Sequence, residues 1–130
     1  MIYSLLVMSN PANGQSAATA AQFARAVLER GHSIARIFFL DDGVYNAAAN
    51  TVMPQDEHSV MCDWQWLATQ HNVELVICVS SALRRGMLDT SEATRHEKLA
   101  SSIDPLFVIS GLGQLIEAAQ QSDRMVTFGE

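Results

Sequence analysis

Five short apolar segments are spaced along the chain, and the stretches between them mix polar and apolar residues. These segments are Ile2–Met8, Ile34–Leu40, Val73–Val79, Leu106–Ile109 and Met125–Phe128. The first three are almost continuously hydrophobic, which is typical of strands that are buried on both faces of a parallel sheet. The pattern therefore predicts a mostly parallel sheet of about five strands.

The intervening segments carry helical periodicity. Between the first two strands, one helix face is predicted from the spacing of Ala20, Phe23, Ala24 and Val27, and Gly31 follows at a typical C-cap position. Strands that alternate with helices at this spacing indicate βαβ units. We predict an α/β fold, a three-layer α/β/α sandwich, formed by one domain over residues 1–130.

A second helix is predicted over His58–His71. Its buried stripe is expected to contain Val60, Met61, Trp64, Leu67, Ala68 and His71. Cys62 and Trp66 fall on the opposite side of that helix. Trp66 is interpreted in two ways with about equal weight: it packs against a partner protein, or it packs locally.

Three later helical segments complete the prediction. A short helix is expected over Ser80–Arg85 and ends at Gly86, and another lies between loops within Leu88–Ser102. The last helix follows Gly111. Its buried face is expected to contain Leu112, Leu115, Ile116 and Ala119.

Composition and charge narrow the classes of function. The chain has 130 residues, a net charge of −6 and a pI near 5.0, which argues against direct binding of a nucleic acid backbone. No apolar run reaches the length of about 20 residues that spans a bilayer, and the N-terminal segment lacks the basic start of a signal peptide. We expect a cytoplasmic protein whose two cysteines are reduced and are either structural or reactive.

Motifs for nucleotides and metals are missing from the sequence. The loop after the first strand has one glycine where a dinucleotide site needs three, and no phosphate-binding P-loop occurs. The four histidines are scattered without metal-ligand spacing, so His71 is interpreted as a partly buried side chain. The Asp41–Asp42 pair is interpreted as the start of a turn. We expect neither a cofactor nor a metal.

Chemistry in parallel α/β folds gathers at the carboxyl ends of the strands. Cys78 lies at such an end, and a helix that begins near Ser80 would direct free N–H groups and partial positive charge toward its sulfur. Arg84 and Arg85 add positive charge. Because the thiolate is the nucleophile, this position favours a reactive cysteine or its persulfide, although an inert buried cysteine remains the alternative. Cys62, in the middle of a helix, has no free N–H groups nearby.

Three stretches resemble those of the DsrE-like sulfur-relay family: FFLDDGVYNA, ICVSSALRRGMLD and ISGLGQLIEAAQQSDRMVTF. The resemblance extends over essentially the whole chain. It implies a sulfurtransferase in which Cys78 carries sulfur as a persulfide. From the predicted fold, which brings adjacent strand ends together, the candidate residues lining the site are Tyr45, Ser80, Arg85 and Ser110. The polar segment Leu88–Ser102 is the candidate for a cover over Cys78.

The resemblance also implies partners. A TusA-like protein would donate sulfur, a TusE-like protein would accept it, and TusB-like and TusC-like subunits would assemble with this chain into a dimer of heterotrimers. The destination would be the 2-thio group of wobble uridine in tRNA, without direct contact between this chain and tRNA. Two alternatives stay open, namely a DsrE-type subunit of dissimilatory sulfur oxidation and a non-catalytic scaffold with a structural Cys78.

Overall fold

The computed structural model describes residues 1–129. Its five strands are β1 (Ile2–Val7), β2 (Ser33–Phe39), β3 (Glu74–Cys78), β4 (Phe107–Ser110) and β5 (Arg124–Phe128). They pair in the order β4-β3-β2-β1-β5, and every pairing is parallel. The predicted α/β class and the five-stranded sheet are confirmed, with each strand end within one residue of its predicted position.

Helices connect these strands. They are α1 (Ser16–Glu29), a 3₁₀ helix (Asp41–Ala47), α2 (Val60–His71), α3 (Val79–Arg84), α4 (Thr90–Arg95) and α5 (Gly113–Gln121). α1 and α2 pack on one face of the sheet and α5 on the other. The short helices α3 and α4 fall within the segments where the sequence predicts them, except that α3 begins at Val79 rather than Ser80.

The side chains of β3 divide between the two faces because successive residues of a strand point in opposite directions. Leu75 and Ile77 join the large cluster under α1 and α2. Val76 and Cys78 point to the other face, where they pack with Phe38 of β2. Cys78 is therefore part of the smaller core, beneath α5.

The predicted buried face of α5 is wrong. Leu112 and Ile116 are 51% and 61% exposed, whereas Ala118 is buried and Leu115 is partly buried against the small cluster. The buried Arg36 of β2 donates from Nη1 to the carbonyl oxygen of Gln114 at 2.8 Å. This bond joins the first turn of α5 to the sheet, in an orientation that turns Leu115 and Ala118 toward the sheet and leaves Leu112 and Ile116 exposed.

Two expectations for α2 are also settled. Trp64 and Leu67 are buried as predicted, but His71 is exposed because it is the last residue of the helix. Trp66 packs locally: the guanidinium carbon of Arg25 lies 3.9 Å from the centre of its ring, and the His71 ring lies 4.5 Å away. These contacts within the chain agree with the interpretation that Trp66 packs locally.

Candidate functional site

Cys78 is the last residue of β3 and the N-cap of α3. Its side chain is only 1% exposed. Three partly buried leucines, Leu6, Leu40 and Leu115, pack against the small cluster that Cys78 forms with Phe38 and Val76. The expected cover, Leu88–Ser102, has no residue in this cluster, because α4 follows a buried turn that packs elsewhere.

Hydrogen-bond donors surround the sulfur. The Ser80 hydroxyl lies 3.4 Å from Sγ of Cys78, and the start of α3 presents the backbone N–H groups of Ser80 and Ser81. Burial by itself raises the pKa of the Cys78 thiol. Hydrogen bonds from the Ser80 hydroxyl, then the Ser81 N–H, the Ser81 hydroxyl and the Ser80 N–H, outweigh burial, and the pKa is lowered from its ordinary value. The site thus favours a thiolate.

Two hydrogen bonds join the 3₁₀ helix to α3, and a third, within α3 and its C-cap, fixes Arg85. The Asp41 N–H donates to the Ser81 hydroxyl oxygen at 3.0 Å, so the hydroxyl hydrogen of Ser81 is free to be donated elsewhere. Arg85 Nε donates to Asp42 Oδ1 at 2.9 Å, and Arg85 Nη1 donates to the Ser81 carbonyl oxygen at 3.2 Å. These contacts tie the helix that carries the sulfur's donors to the carboxyl end of β2.

Asp41 and Gly43 show how tightly this tether is built. Asp41 has a φ of 51°, in the left-handed region that residues other than glycine seldom adopt. Gly43 packs so closely on β1 that a Cβ there would overlap the carbonyl oxygen of Val7. The backbone of the 3₁₀ helix is therefore fixed against the strand ends before any ligand arrives.

The sequence-predicted neighbours of Cys78 fall in different places. Ser80 lies beside the sulfur, and Ser110 is the register partner of Cys78 on β4. Arg85 is engaged by Asp42, and Tyr45 packs against the larger cluster rather than the cluster of Cys78. The structure thus brings Ser80 and Ser110 next to Cys78, whereas Arg85 acts on α3 and Tyr45 lies apart.

Two residues of the site were missed by sequence reasoning. Ser81 is buried and bonds the 3₁₀ helix, and Asp42 holds Arg85. Both lie in the stretches that carried the family resemblance. The signal for Asp42 was its position at the carboxyl end of β2, which the interpretation of Asp41–Asp42 as a turn did not use.

Cys62 contrasts with Cys78. It is exposed in the first turn of α2, so the predicted position in the middle of a helix is wrong. Its N–H donates to the Ser59 carbonyl oxygen at 3.1 Å. Over residues 1–129, no group of three or more His, Cys, Asp or Glu side chains is arranged to hold a metal ion. In the same part of the chain, no helix combines the length and the apolar character that crossing a membrane requires.

Comparison with known proteins places these features in a family. The family model described as the DsrE/DsrF-like family matches residues 1–128. The chain is 47% identical over 130 residues to DsrE of Allochromatium vinosum, with both chains fully covered. It is 47% identical over 129 residues to the sulfurtransferase TusD of Salmonella dublin, which covers 98% of this chain and 100% of the relative.

Two further matches extend the comparison. The sulfurtransferase TusD of Serratia proteamaculans is 46% identical over 124 residues, covering 95% of this chain and 96% of the relative. The crystal structure of the ychN protein from E. coli matches with a TM-score of 0.79 at 20% identity, over 98% of this chain and 99% of that one. At that identity, the structural match supports the fold alone.

Proposed function

We propose that this chain, which belongs to the DsrE/DsrF-like family, is a sulfurtransferase subunit that carries sulfur as a persulfide on Cys78. The observation that carries the proposal is the hydrogen-bonded environment of the sulfur. Hydroxyl and N–H donors at the start of α3 offset the cost of burying a negative charge, which both a thiolate and a persulfide anion need.

The transfer step requires no cofactor. The Cys78 thiolate attacks the terminal sulfur of a donor persulfide, a new S–S bond forms at Cys78, and the S–S bond of the donor breaks. The donor leaves as a thiolate with the electron pair of the broken bond. No electrons are exchanged with an outside oxidant or reductant. A second thiolate then removes the terminal sulfur from Cys78 in the same way.

The buried sulfur must become accessible during each transfer. Because Cys78 is 1% exposed, an incoming persulfide reaches it only when neighbouring side chains move. Leu40, before the 3₁₀ helix, and Leu115, of α5, pack against the same small cluster, so we propose that displacement of one of these elements opens the site. We propose that docking of the donor protein supplies this displacement.

The remaining residues have supporting roles in the proposal. Ser80 donates directly to the sulfur, and Ser110 lines the same edge from β4. Arg85 is a positioning residue, since it fixes Ser81 and Asp42 rather than the sulfur. Tyr45 packs against the larger cluster, apart from the sulfur, so its proposed place is at the edge of the site. We also propose that the chain forms one domain.

The proposed pathway is the 2-thiolation of tRNA wobble uridine in the cytoplasm. This pathway would require a TusA-like sulfur donor and a TusE-like sulfur acceptor. It would also require TusB-like and TusC-like subunits, which would assemble with this chain into a dimer of heterotrimers. The support is the name TusD carried by relatives of nearly full length, together with a net charge of −6 that suits a subunit without tRNA contact.

A second pathway is favoured by a specific observation. The identity to DsrE of Allochromatium vinosum is 47%, equal to that of the TusD relative from Salmonella dublin. Identity therefore does not separate tRNA thiolation from sulfur oxidation, and the same persulfide chemistry at Cys78 serves both. Sulfur transfer from the purified protein to a TusE-like acceptor would favour the tRNA pathway.

The test is sulfur uptake measured by intact-mass spectrometry. Incubation with a persulfide donor is expected to add the mass of one sulfur atom to the wild type and to the Cys62→Ser variant. The Cys78→Ser variant, checked for folding by circular dichroism, is expected to remain unmodified. If Cys78→Ser gains sulfur as readily as the wild type, Cys78 is not the carrier and the scaffold alternative gains support.

A further inference from the structure

A polar cavity lies at the carboxyl edge of the sheet, beside β1 rather than beside β3, where Cys78 lies. It has a volume of about 370 Å³ and opens between the loop after β1 and the start of α1. Its lining residues are polar or small: Ser9, Asn10, Asn13, Gly14, Gln15, Ser16 and Asp42. Of these residues, Asp42 also belongs to the site around Cys78, where it holds Arg85, whereas the other six have no role there.

The first turn of α1 faces this cavity with its backbone donors free. α1 has 14 residues, its N-cap Gln15 makes no side-chain capping bond, and its first turn contains no acidic residue. The first hydrogen bond of the helix runs from the Thr19 N–H to the Gln15 carbonyl oxygen at 2.8 Å. The preceding N–H groups and the helix dipole therefore present partial positive charge to the cavity.

Ser9 supplies an independent observation. It is 1% exposed and lines the cavity, and within residues 1–129 its hydroxyl oxygen has no hydrogen-bond partner. Its carbonyl oxygen is already bonded, since it accepts from Asn46 Nδ2 at 3.0 Å. Buried hydroxyl groups without partners are uncommon, because such a group loses its bonds to water and gains none. A ligand that accepts a hydrogen bond at this position would satisfy it.

Asn10 adds a donor. Its Oδ1 accepts from the Ala12 N–H at 2.8 Å, which leaves the amide NH₂ group available to donate. Asp42 is the one carboxylate of the lining, and its charge is paired with Arg85 at 2.9 Å. The cavity therefore has free donors, and its one carboxylate is already paired with Arg85.

We infer that this cavity binds a small tetrahedral oxyanion of the sulfate, phosphate or thiosulfate class. The anion would accept from the Ser9 hydroxyl, the Asn10 amide and the free N–H groups of α1. The single glycine of the loop and the absence of the three-glycine pattern make this a site for one tetrahedral group rather than a dinucleotide. The inference does not depend on whether Cys78 carries sulfur.

The first test is isothermal titration of the full chain with sodium sulfate, inorganic phosphate and thiosulfate, at an ionic strength kept constant with sodium chloride. Saturable binding of at least one oxyanion is expected for the wild type. Ser9→Ala is expected to weaken it about tenfold, as loss of a hydrogen bond to a charged group does. Ser101→Ala, an exposed serine outside the cavity, serves as the matched control.

Thermal unfolding gives a second test of Ser9→Ala, in which the variant binds the oxyanion more weakly and yet is at least as stable as the wild type in its absence. Without an oxyanion, the variant should melt at the same or a higher temperature than the wild type, because it removes a buried hydroxyl that has no partner. With sulfate, the rise in melting temperature should be smaller than for the wild type. Sulfate also stabilises proteins by exclusion from their surface, and comparing the two proteins removes that shared effect.

Ser16→Glu tests the helix terminus. The new carboxylate suits the first turn of α1 and would occupy the cavity, so the variant should fold and lose oxyanion binding. The inference is overturned if the wild type shows no saturable binding. It is also overturned if Ser9→Ala and Ser16→Glu both bind the oxyanion as tightly as the wild type does.

Discussion

The two cysteines of this chain occupy opposite kinds of environment. Cys62 is exposed on α2 and its side chain meets solvent, whereas Cys78 is 1% exposed and lies at the junction of β3 and α3. Accessibility alone would select Cys62 as the reactive thiol. Chemistry selects Cys78, because the donors around its sulfur stabilise the thiolate and lower its pKa despite burial.

The difference shows that access and activation are separate properties of a thiol. A parallel strand followed directly by a helix aims backbone N–H groups at the last strand residue, and this geometry is absent in the exposed turn that carries Cys62. A sulfur carrier must hold a reactive sulfur and also protect it between partners. Burial of the Cys78 sulfur provides the protection, and the hydrogen-bond donors at the start of α3 provide the reactivity. The site must then open when a partner docks.

The largest effect is expected from Gly43→Ala. The added Cβ would overlap the carbonyl oxygen of Val7, so the 3₁₀ helix must move away from β1 and its bonds to α3 must break. We expect the free energy of unfolding to fall by about 3 kcal/mol. In the native protein, the ratio of Cys78 to Cys62 labelling should change while Cys62 labelling stays constant.

Denaturant unfolding and peptide mass spectrometry after iodoacetamide labelling measure these two quantities. Gly111→Ala is the matched control, because no atom lies within 4 Å of its added Cβ and its φ is not in the left-handed region. If the Gly43→Ala protein is as stable as the control, the close packing of Gly43 on the Val7 carbonyl oxygen is contradicted.

An intermediate effect is expected from Ser80→Ala. The variant removes the hydroxyl 3.4 Å from Sγ of Cys78, a donor that lowers the pKa of the thiol. Its loss should raise that pKa, move the pH profile of labelling to higher pH, and slow labelling at pH 7 about threefold.

The measurement is the iodoacetamide rate from pH 6 to 9 in a Cys62→Ser background, which isolates Cys78. An ordinary free thiol has a pKa of about 8.5, and the midpoint of the wild-type profile is expected to lie below that value. A profile for Ser80→Ala that coincides with the wild type, or moves to lower pH, would contradict the role of the hydroxyl.

The smallest effect is expected from Asp42→Asn. Asp42 and Arg85 form a partly exposed ion pair, with side chains 46% and 25% exposed, and such pairs contribute about 1 kcal/mol or less. Because Arg85 acts on α3 rather than on the sulfur, Cys78 labelling should change less than about twofold. The control is Asp56→Asn on the exposed surface. An effect as large as that of Ser80→Ala would assign Arg85 a direct electrostatic role.

Much of the fold was predictable from patterning. Strands buried on both faces are apolar at most positions, so β1, β2 and β3 appear as nearly continuous apolar runs, with Ser4 and Arg36 as buried exceptions. The face of α5 was not predictable from hydrophobicity, since Leu112 and Ile116 are exposed and the first turn of the helix is bonded to the buried Arg36. A contact between residues 36 and 114 leaves no trace in the local periodicity of either segment.

The candidate site divides in the same way. The position of Cys78 at a strand end and before a helix is a local property, and the sequence alone determined it together with Ser80. Burial of the sulfur, the bond from Asp41 to Ser81 and the pairing of Arg85 with Asp42 were decided only by the tertiary structure. The reason is physical: strand and helix junctions are set by neighbouring residues, whereas these contacts depend on how the end of β2 packs against the end of β3.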